Sequence, residues 1–448
     1  MFRLLTRDLV FNARIWLGLA MVAAAGAASV AVSASTADAA YRATGNTALA
    51  LYGISGSLLV FTSVAAVVVL SSVAGLTVAL HERDYALWQL VGFGPGAIRT
   101  VVLAQLAAVG LVGALAGCLA AAPLLQPFAD YVFAGSSGLG RVQLRLGAVG
   151  TFASVFVVVL LLLAGGSRAA RRAGRVTGLE LLREAAVPRL RMTWSRWVLS
   201  AGLLTVVTSM ALGLFGRDVA DLETSLSLIP PMVAGLFVAG SPLVTAPLTR
   251  AWTGLVPARA SVAWYLARNV AFAALDRSTA AINPLVVTIA LTGGLYTAHG
   301  MVASVEAAQT GAPATGLPAQ FVVLLLGGPL LLAAVGAAAT VAMSGRARTR
   351  DAALLEAAGS TPGTVVASAA LEAVIQVGTA ALLGVAAVTC GALAGASALG
   401  WQTLGAATTG ISAVVVTGAG GLLLVLAATV IPAVVRLRQD PVRVLATE

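Results

Sequence analysis

The residue types that carry most catalytic and metal chemistry are scarce in this sequence. Its two cysteines, Cys118 and Cys390, lie within apolar runs, and its two histidines, His81 and His299, are far apart in the chain. No CxxC or Cys/His spacing that would hold a metal ion occurs. No group of His, Asp, Glu and Ser falls at a shared depth in the apolar runs. We therefore expect no catalytic residues, no metal site and no cofactor bound by this chain.

Nucleotide hydrolysis within the chain is excluded by the missing P-loop. All 27 basic residues are Arg, and no GxxxxGK[ST] segment is present. A P-loop needs glycine amides around the phosphates and a Lys that reaches the terminal phosphates. If ATP drives this protein, the ATPase must be a separate subunit.

The elements around these residues are apolar helices. The 448 residues are 59% hydrophobic and only 10% charged, whereas soluble domains are about 25% charged. Apolar runs that are continuous over about 20 residues predict membrane-spanning helices and not a barrel. We interpret the first run as a retained helix and not as a signal peptide. The ten runs lie near 15–37, 48–80, 100–126, 146–166, 195–215, 226–248, 280–302, 318–344, 365–398 and 408–433.

The distribution of Arg supports this count. With the N-terminus in the cytoplasm, ten spans place 23 of the 27 Arg in cytoplasmic segments, as the positive-inside rule requires. The net charge of +10 is then assigned to the membrane surface and not to nucleic acid. The sequence predicts a multi-pass protein of the bacterial cytoplasmic membrane with both termini in the cytoplasm. The outward loops are short, so we expect no large extracytoplasmic domain.

One segment occurs twice in the chain. ERDYALWQLVGFGPGAIRTVVLAQ (82–105) aligns without gaps to TRDAALLEAAGSTPGTVVASAALE (349–372), and each copy lies between two apolar runs. We therefore predict an all-α integral membrane protein built by duplication. Residues 1–190 form the first four-helix unit, residues 191–255 form two linking helices, and residues 256–448 form the second four-helix unit.

Each copy predicts an elbow on the cytoplasmic side. In the first copy, Arg83 and Asp84 begin a short helix, Gly92 ends it and Pro95 begins the next helix. The predicted apolar face of the elbow is formed by Ala86, Leu87 and Leu90 in the first copy and by Ala353, Leu354 and Ala357 in the second. Such a helix either anchors the helix ends at the interface or docks a cytoplasmic partner. Two equivalent elbows favour docking on a partner with two-fold symmetry.

These elbows resemble the FtsX-like permease family, the membrane subunits of MacB-type ABC transporters. The segments RDYALWQLVGFGPGAIRTVVLAQ and RDAALLEAAGSTPGTVVASAALE are similar to the stretch that follows the second helix of that family's four-helix unit. The segment ARNVAFAALDRSTAAINPLVVTIAL (267–291) resembles the start of its first helix, and DPVRVLATE (440–448) resembles its close. The resemblance covers both four-helix units.

The resemblance implies that the elbows are coupling helices for a separate cytoplasmic ATPase dimer that binds ATP and Mg²⁺. It implies a permease, which we expect to be an exporter of amphipathic, lipid-like, peptide or drug substrates that enter between membrane helices. Gln105 and Glu372 correspond to the position where the family usually has Glu. The implied coupling residues are Glu82, Arg83, Asp84, Leu87, Trp88, Gly92, Pro95 and Gly96, and in the second copy Arg350, Asp351, Leu354, Leu355, Gly359, Pro362 and Gly363.

Two other classes remain open. An ion-coupled secondary transporter also uses internal repeats, but it normally needs an ionisable residue near mid-membrane. The span map places nearly all acidic residues in loops or at helix ends, which disfavours that class. A non-transporting signalling or regulatory homologue is the other alternative. The large outer domain that is usual in the family is missing from both units.

Overall fold

The computed structural model describes residues 13–133, 142–173, 192–216, 219–257, 261–273, 275–311, 313, 316–343, 345, 354–355 and 359–436. Within these ranges the chain forms α-helices and one short 3-10 helix, with no strand. Ten of the helices are long and apolar enough to cross a membrane, which confirms the predicted all-α class and number of spans. They indicate a multi-pass membrane protein.

The first unit consists of four long helices and one short helix. The apolar runs form helices because every backbone N–H and C=O in lipid must be paired within its own segment. The chain turns at Gly45 and Gly92, both of which have positive φ. The helices are α1 (Ala13–Arg42), α2 (Asn46–Leu80), the short α3 (Glu82–Leu90), α4 (Pro95–Val132) and α5 (Ala148–Ala173).

Residues 191–255, predicted as two linking helices, contain two helices long and apolar enough to span a membrane, Trp194–Leu212 and Val219–Ala239, and the shorter helix Ser241–Gly254. A further short helix, Val262–Ala273, lies at the start of the predicted second unit. The predicted run near 226–248 is divided, because α7 ends at Ala239 and a new helix begins after Gly240. Pro230 and Pro231 lie within α7 without ending it. Among the described residues of α6 none is buried. The helices are α6 (Trp194–Leu212), α7 (Val219–Ala239), α8 (Ser241–Gly254) and α9 (Val262–Ala273).

The second unit has the same helix order as the first. The helices that follow the two elbows, α4 and α12, are both 38 residues long. The second unit comprises α10 (Leu275–Thr310), α11 (Ala319–Met343), α12 (Pro362–Leu399), a 3-10 helix (Trp401–Gly405) and α13 (Thr408–Arg436).

Equivalent helices make equivalent contacts in the two units. Within each unit the first helix packs on the second, third and fourth, and the fourth also packs on the second and third. Between the units, α1 packs on α11, α2 packs on α10, and α2 packs on α11. The first and second helices of each unit therefore form the interface between units. The linking helix α7 packs on α10 and α12.

The crossing of α1 and α4 brings two backbones into contact. A Cβ on Gly113 would lie 2.5 Å from the carbonyl oxygen of Ala20 and 3.0 Å from its Cα. One turn further, Gly117 lies still closer to Ala24. Small residues permit such approach between membrane helices. This crossing holds α4 against the first helix of its own unit.

Candidate functional site: the two elbows

The first elbow is a short helix closed by a glycine. Its last turn has the bonds of a Schellman motif: Gly92 N–H donates to Gln89 O over 2.9 Å, and Phe93 N–H donates to Trp88 O over 3.1 Å. Gly92 has φ +100°, a conformation that other residues rarely adopt. Pro95 is then the first residue of α4. The sequence prediction of these helix ends is confirmed.

The described part of the second elbow repeats this turn. Leu354 and Leu355 are helical, and Ser360 N–H donates to Leu355 O over 3.0 Å. Gly359 has φ +91°, and Pro362 begins α12. Leu355 and Ser360 align with Trp88 and Phe93, so the same bond closes both elbows. The second helix start has an added cap, in which the side chain of Thr361 accepts a hydrogen bond from Thr364 N–H.

The three residues of the predicted apolar face of the first elbow do not share one environment. Ala86 is buried, but Leu87 and Leu90 are 50% and 66% exposed. The side chains that point inward are those of Tyr85 and Ala86, because the large ring of Tyr85 occupies the space beneath the helix. Successive residues of a helix are about 100° apart, so Leu87, Leu90 and the following Val91 point outward together.

A leucine is exposed at the same aligned position in both elbows. Leu354, which aligns with Leu87, is 56% exposed. In the first elbow Val91 is 80% exposed beside it. Val91 is a functional candidate that the sequence analysis missed, although its place after Leu90 and just before Gly92 was a visible signal.

On three of the four long helices of the first unit, exposed large apolar side chains, here called the apolar belt, stop short of the first elbow. On α1, by contrast, Leu17 and Met21 are exposed, and Leu17 adjoins Trp16, whose ring contacts His81 at the elbow. Exposed large apolar side chains end at Val67 on α2, begin at Leu111 on α4 and end at Leu160 on α5. These positions lie at a similar height along the helix bundle, because Gly110 on α4 contacts Leu162 on α5. In the remaining parts of these helices, residues 68–80, 95–110 and 161–173, no large apolar side chain is exposed. Since α4 rises about 1.5 Å per residue, the elbow is about 24 Å from the end of the belt on that helix.

The second unit differs at this boundary. Its exposed apolar side chains end at Leu331 on α11 and begin at Val374 on α12, but on α13 they continue to Ile431 and Val434. The projection beyond the belt is therefore clearest in the first unit. We refer to the parts of α2, α4 and α5 that comprise residues 68–80, 95–110 and 161–173 as the stalk.

Aromatic rings fix the first elbow to the stalk. His81 is buried where α2 meets α3, and its ring centroid lies 5.2 Å from that of Trp16 and 6.0 Å from that of Tyr85. Trp88 contacts Tyr85 at 5.5 Å and Phe93 at 6.3 Å. His81 Nδ1 donates to Thr77 O over 2.8 Å. This aromatic row joins α1, α2 and α3 and was not anticipated as a unit.

Hydrogen bonds add two further attachments. The hydroxyl of Tyr85 donates to Gln105 Oε1 on α4 over 3.3 Å, and Gln89 Nε2 donates to Ala173 O at the end of α5 over 3.2 Å. The first elbow is thus tied to four neighbouring helices. The aligned positions of the aromatic row in the second copy are Ala352, Leu355 and Ser360, so no ring can take the same role there.

Gln105 and Glu372 occupy matching buried positions, ten residues into α4 and α12. Glu372 Oε1 accepts a hydrogen bond from Gln376 Nε2 over 3.0 Å, and both side chains are buried. The sequence analysis placed nearly all acidic residues in loops or at helix ends, whereas the structure shows that Glu372 is buried. A helix of 38 residues is about 57 Å long, which leaves room for burial before the belt begins.

The remaining predicted residues are partly buried, are exposed, or lie outside the described residues. Asp84 and Trp88 are partly buried, while Gly96 and Gly363 are exposed in the first turns of α4 and α12. The side chains of Glu82 and Arg83, and the whole of Arg350, Asp351 and the segment 440–448, lie outside the described residues.

A contact between a carboxylate and an imidazole lies at the opposite end of the second unit. Glu223 near the start of α7 contacts His299 on α10, with Oε1 and Nδ1 2.9 Å apart. No local pattern predicts this contact, because the two residues are 76 positions apart.

No protein-family model matches this chain, and no curated protein matches it at a significant level.

Proposed function

We propose that this protein is the membrane subunit of an ABC transporter of the FtsX-like type, with the two elbows as docking sites for a separate cytoplasmic ATPase. The observation that carries the proposal is the pair Leu87 and Leu354, aligned positions that are both exposed next to the same glycine-closed turn. Contiguous apolar side chains exposed away from lipid mark protein interaction sites.

The position of the first elbow supports a partner in water and not lipid. Leu87, Leu90 and Val91 are exposed beyond the parts of α2, α4 and α5 in which no large apolar side chain is exposed. Leu17 and Met21 on α1 are the exposed apolar neighbours of this region. An interfacial anchor would instead place its apolar residues next to the belt. Burying a fully exposed Leu gains about 1.5–3 kcal/mol, so these three partly exposed side chains can contribute several kcal/mol to binding.

The attachments of the first elbow suit the transmission of motion. A docked ATPase that moves α3 would also move α1, α4 and α5, because the row from Trp16 to Phe93 and the bonds of Tyr85 and Gln89 connect them. The partner would be a dimer of identical subunits that binds ATP and Mg²⁺, one subunit at each elbow. Export of amphipathic or lipid-like substrates between the helices follows from the resemblance and the short outer loops.

The burial of Glu372 favours one alternative, an ion-coupled secondary transporter. A buried carboxylate paired with an amide is the type of group that binds a coupling proton or cation. In that case the chain alone would transport substrate in response to an ion gradient, without an ATPase.

Purification of the tagged, full-length chain from its own host tests the proposal. We expect it to retain a Walker-motif ATPase at about two copies per chain. The double variant Leu87→Asp/Leu354→Asp should lose it, because docking would bury two carboxylates without partners. The control Thr193→Asp/Asn269→Asp adds the same charge at two exposed positions outside the elbows and should retain it.

Two results would contradict docking at the elbows. One is retention of the ATPase by the elbow variant at the level of the control. The other is transport by the reconstituted chain alone that requires a proton gradient and disappears in Glu372→Gln, which would support the ion-coupled alternative.

A further inference from the structure

A second cluster of functional groups lies where α8 and α9 meet α12. Trp252 on α8 donates its Nε1–H to Thr379 Oγ1 over 3.0 Å, and its ring contacts that of Trp264 on α9 at 6.3 Å. Trp264, Ala267 and Ala271 form the buried face of α9 and pack with Ile375. Both short helices are therefore held against the same part of α12.

Two arginines converge on one ring in this cluster. The guanidinium carbon of Arg250 on α8 lies 5.5 Å from the ring centroid of Phe272, and that of Arg268 on α9 lies 5.9 Å from it. Within the described part of the chain, neither guanidinium makes an ion pair or a hydrogen bond. By contrast, Arg42 pairs with Asp38.

Bringing two like charges to one ring costs free energy unless an anion offsets it. Each cation–π contact contributes only about 0.5–1 kcal/mol at an exposed site. A guanidinium carries five N–H donors in a planar fork that matches phosphate oxygens. Two such forks near the same ring, with no hydrogen-bond partner among the described residues, supply the donors that a phosphate group accepts.

The position of the cluster relative to the membrane spans favours the phosphate of a lipid headgroup over free phosphate. Near the start of α6, Arg196 donates to Ser241 Oγ at the start of α8 over 3.3 Å, and α7 ends two residues earlier at Ala239. The ends of two spans thus meet where α8 begins. On α12, the exposed apolar belt begins at Val374, next to the Ile375 that packs in the cluster, which places the cluster at the edge of that belt. The exposed Trp197 and Tyr265 are the residue types that are enriched at such a boundary.

We propose that Arg250 and Arg268 bind the phosphate of an anionic phospholipid at this corner. Basic pockets between helices on the cytoplasmic side bind anionic headgroups in this way. The lipid would occupy the surface beside α8 and α9, where Leu255 and Val262 are exposed and can contact its acyl chains. The site is separate from the elbows and does not depend on a docked ATPase.

Native mass spectrometry of the full-length chain with phosphatidylglycerol tests this proposal. We expect retained phosphatidylglycerol adducts, with about tenfold weaker binding in Arg250→Gln/Arg268→Gln, since charge-assisted hydrogen bonds are the strong ones. The variant Arg250→Lys/Arg268→Lys keeps the charge but loses the planar fork and should bind with intermediate affinity. Binding by this Lys variant would also show that loss of binding in the Gln variant does not come from misfolding alone.

The control variant Arg99→Gln/Arg171→Gln removes two exposed arginines from the first unit and should keep full phosphatidylglycerol binding. Equal loss in this control would overturn the proposal in favour of diffuse charge attraction. Equal binding of phosphatidylcholine would overturn selectivity for anionic lipid. Displacement of the lipid by millimolar inorganic phosphate would indicate a site for free phosphate instead. Unchanged lipid binding together with loss of a protein partner in Arg250→Gln/Arg268→Gln would assign the arginines to a protein contact.

Discussion

The substitution Gly113→Ala tests the close crossing of α1 and α4 by adding a single methyl group. Its Cβ would lie 2.5 Å from Ala20 O and 3.0 Å from Ala23 Cβ, whereas ordinary contacts begin at 3.4 Å. Both nearest atoms belong to groups that cannot rotate away, so the helices must separate by about 0.9 Å. A gap of that size forfeits roughly a quarter to a half of the dispersion energy of each contact that it opens.

The expected change is a net loss of stability. Overpacking of this kind costs about 1–3 kcal/mol, and the replacement of Gly by Ala within a helix returns about 0.5–1 kcal/mol. Gly113→Ala should therefore be destabilised by about 1–2 kcal/mol. Gly53→Ala on α2 is the matched control, because its Cβ meets nothing within 4 Å, and it should be as stable as the wild type or more so.

The measurement is reversible unfolding in mixed micelles of mild detergent and dodecyl sulfate, followed by tryptophan fluorescence. The two alanine variants should shift the midpoint in opposite directions. If Gly113→Ala unfolds at the same or a higher dodecyl sulfate fraction than Gly53→Ala, the helices do not cross as closely as described.

Two further predictions concern the first elbow. Gly92→Ala should lower stability by about 1–2 kcal/mol, because Gly92 has φ +100°, while the control Gly94→Ala, at φ −69°, should change little; the same unfolding assay compares them. Tyr85→Phe removes the hydroxyl that donates to Gln105 and should cost about 1 kcal/mol. Tyr52→Phe, at an exposed position, should cost nothing measurable in that assay, and equal values for the two tyrosine variants would contradict the buried bond.

The sequence predicts the spans well because hydropathy over 20 residues depends only on composition. It also predicts the ends of the elbow at Gly92 and Pro95, since both residues have restricted backbone preferences. It misses the bend at Gly240, where α7 ends and α8 begins, because the prediction follows hydropathy and passes over Pro242 in the first turn of α8. The apolar run simply continues.

The orientation of the elbow helix could not be read from the sequence for a different reason. Tyr85, Leu87 and Leu90 are all acceptable on a buried face, and the choice among them depends on tertiary contacts with Trp16, His81 and Gln105. These contacts join residues from three helices. The burial of Glu372 depends likewise on how α12 packs with its neighbours, which local pattern does not specify.

The crossing at Gly113 and Gly117 also makes α4 a lever with two arms. From Gly117, one arm runs 22 residues to Pro95 at the elbow and the other runs 15 residues to Val132 at the opposite end of the helix; these are about 33 Å and 22 Å long. A tilt of about 10° around the crossing would move the elbow by roughly 6 Å and the far end by roughly 4 Å in the opposite direction. A small displacement of the elbow would thus arrive at the far end of α4 reversed in direction and only modestly reduced in size.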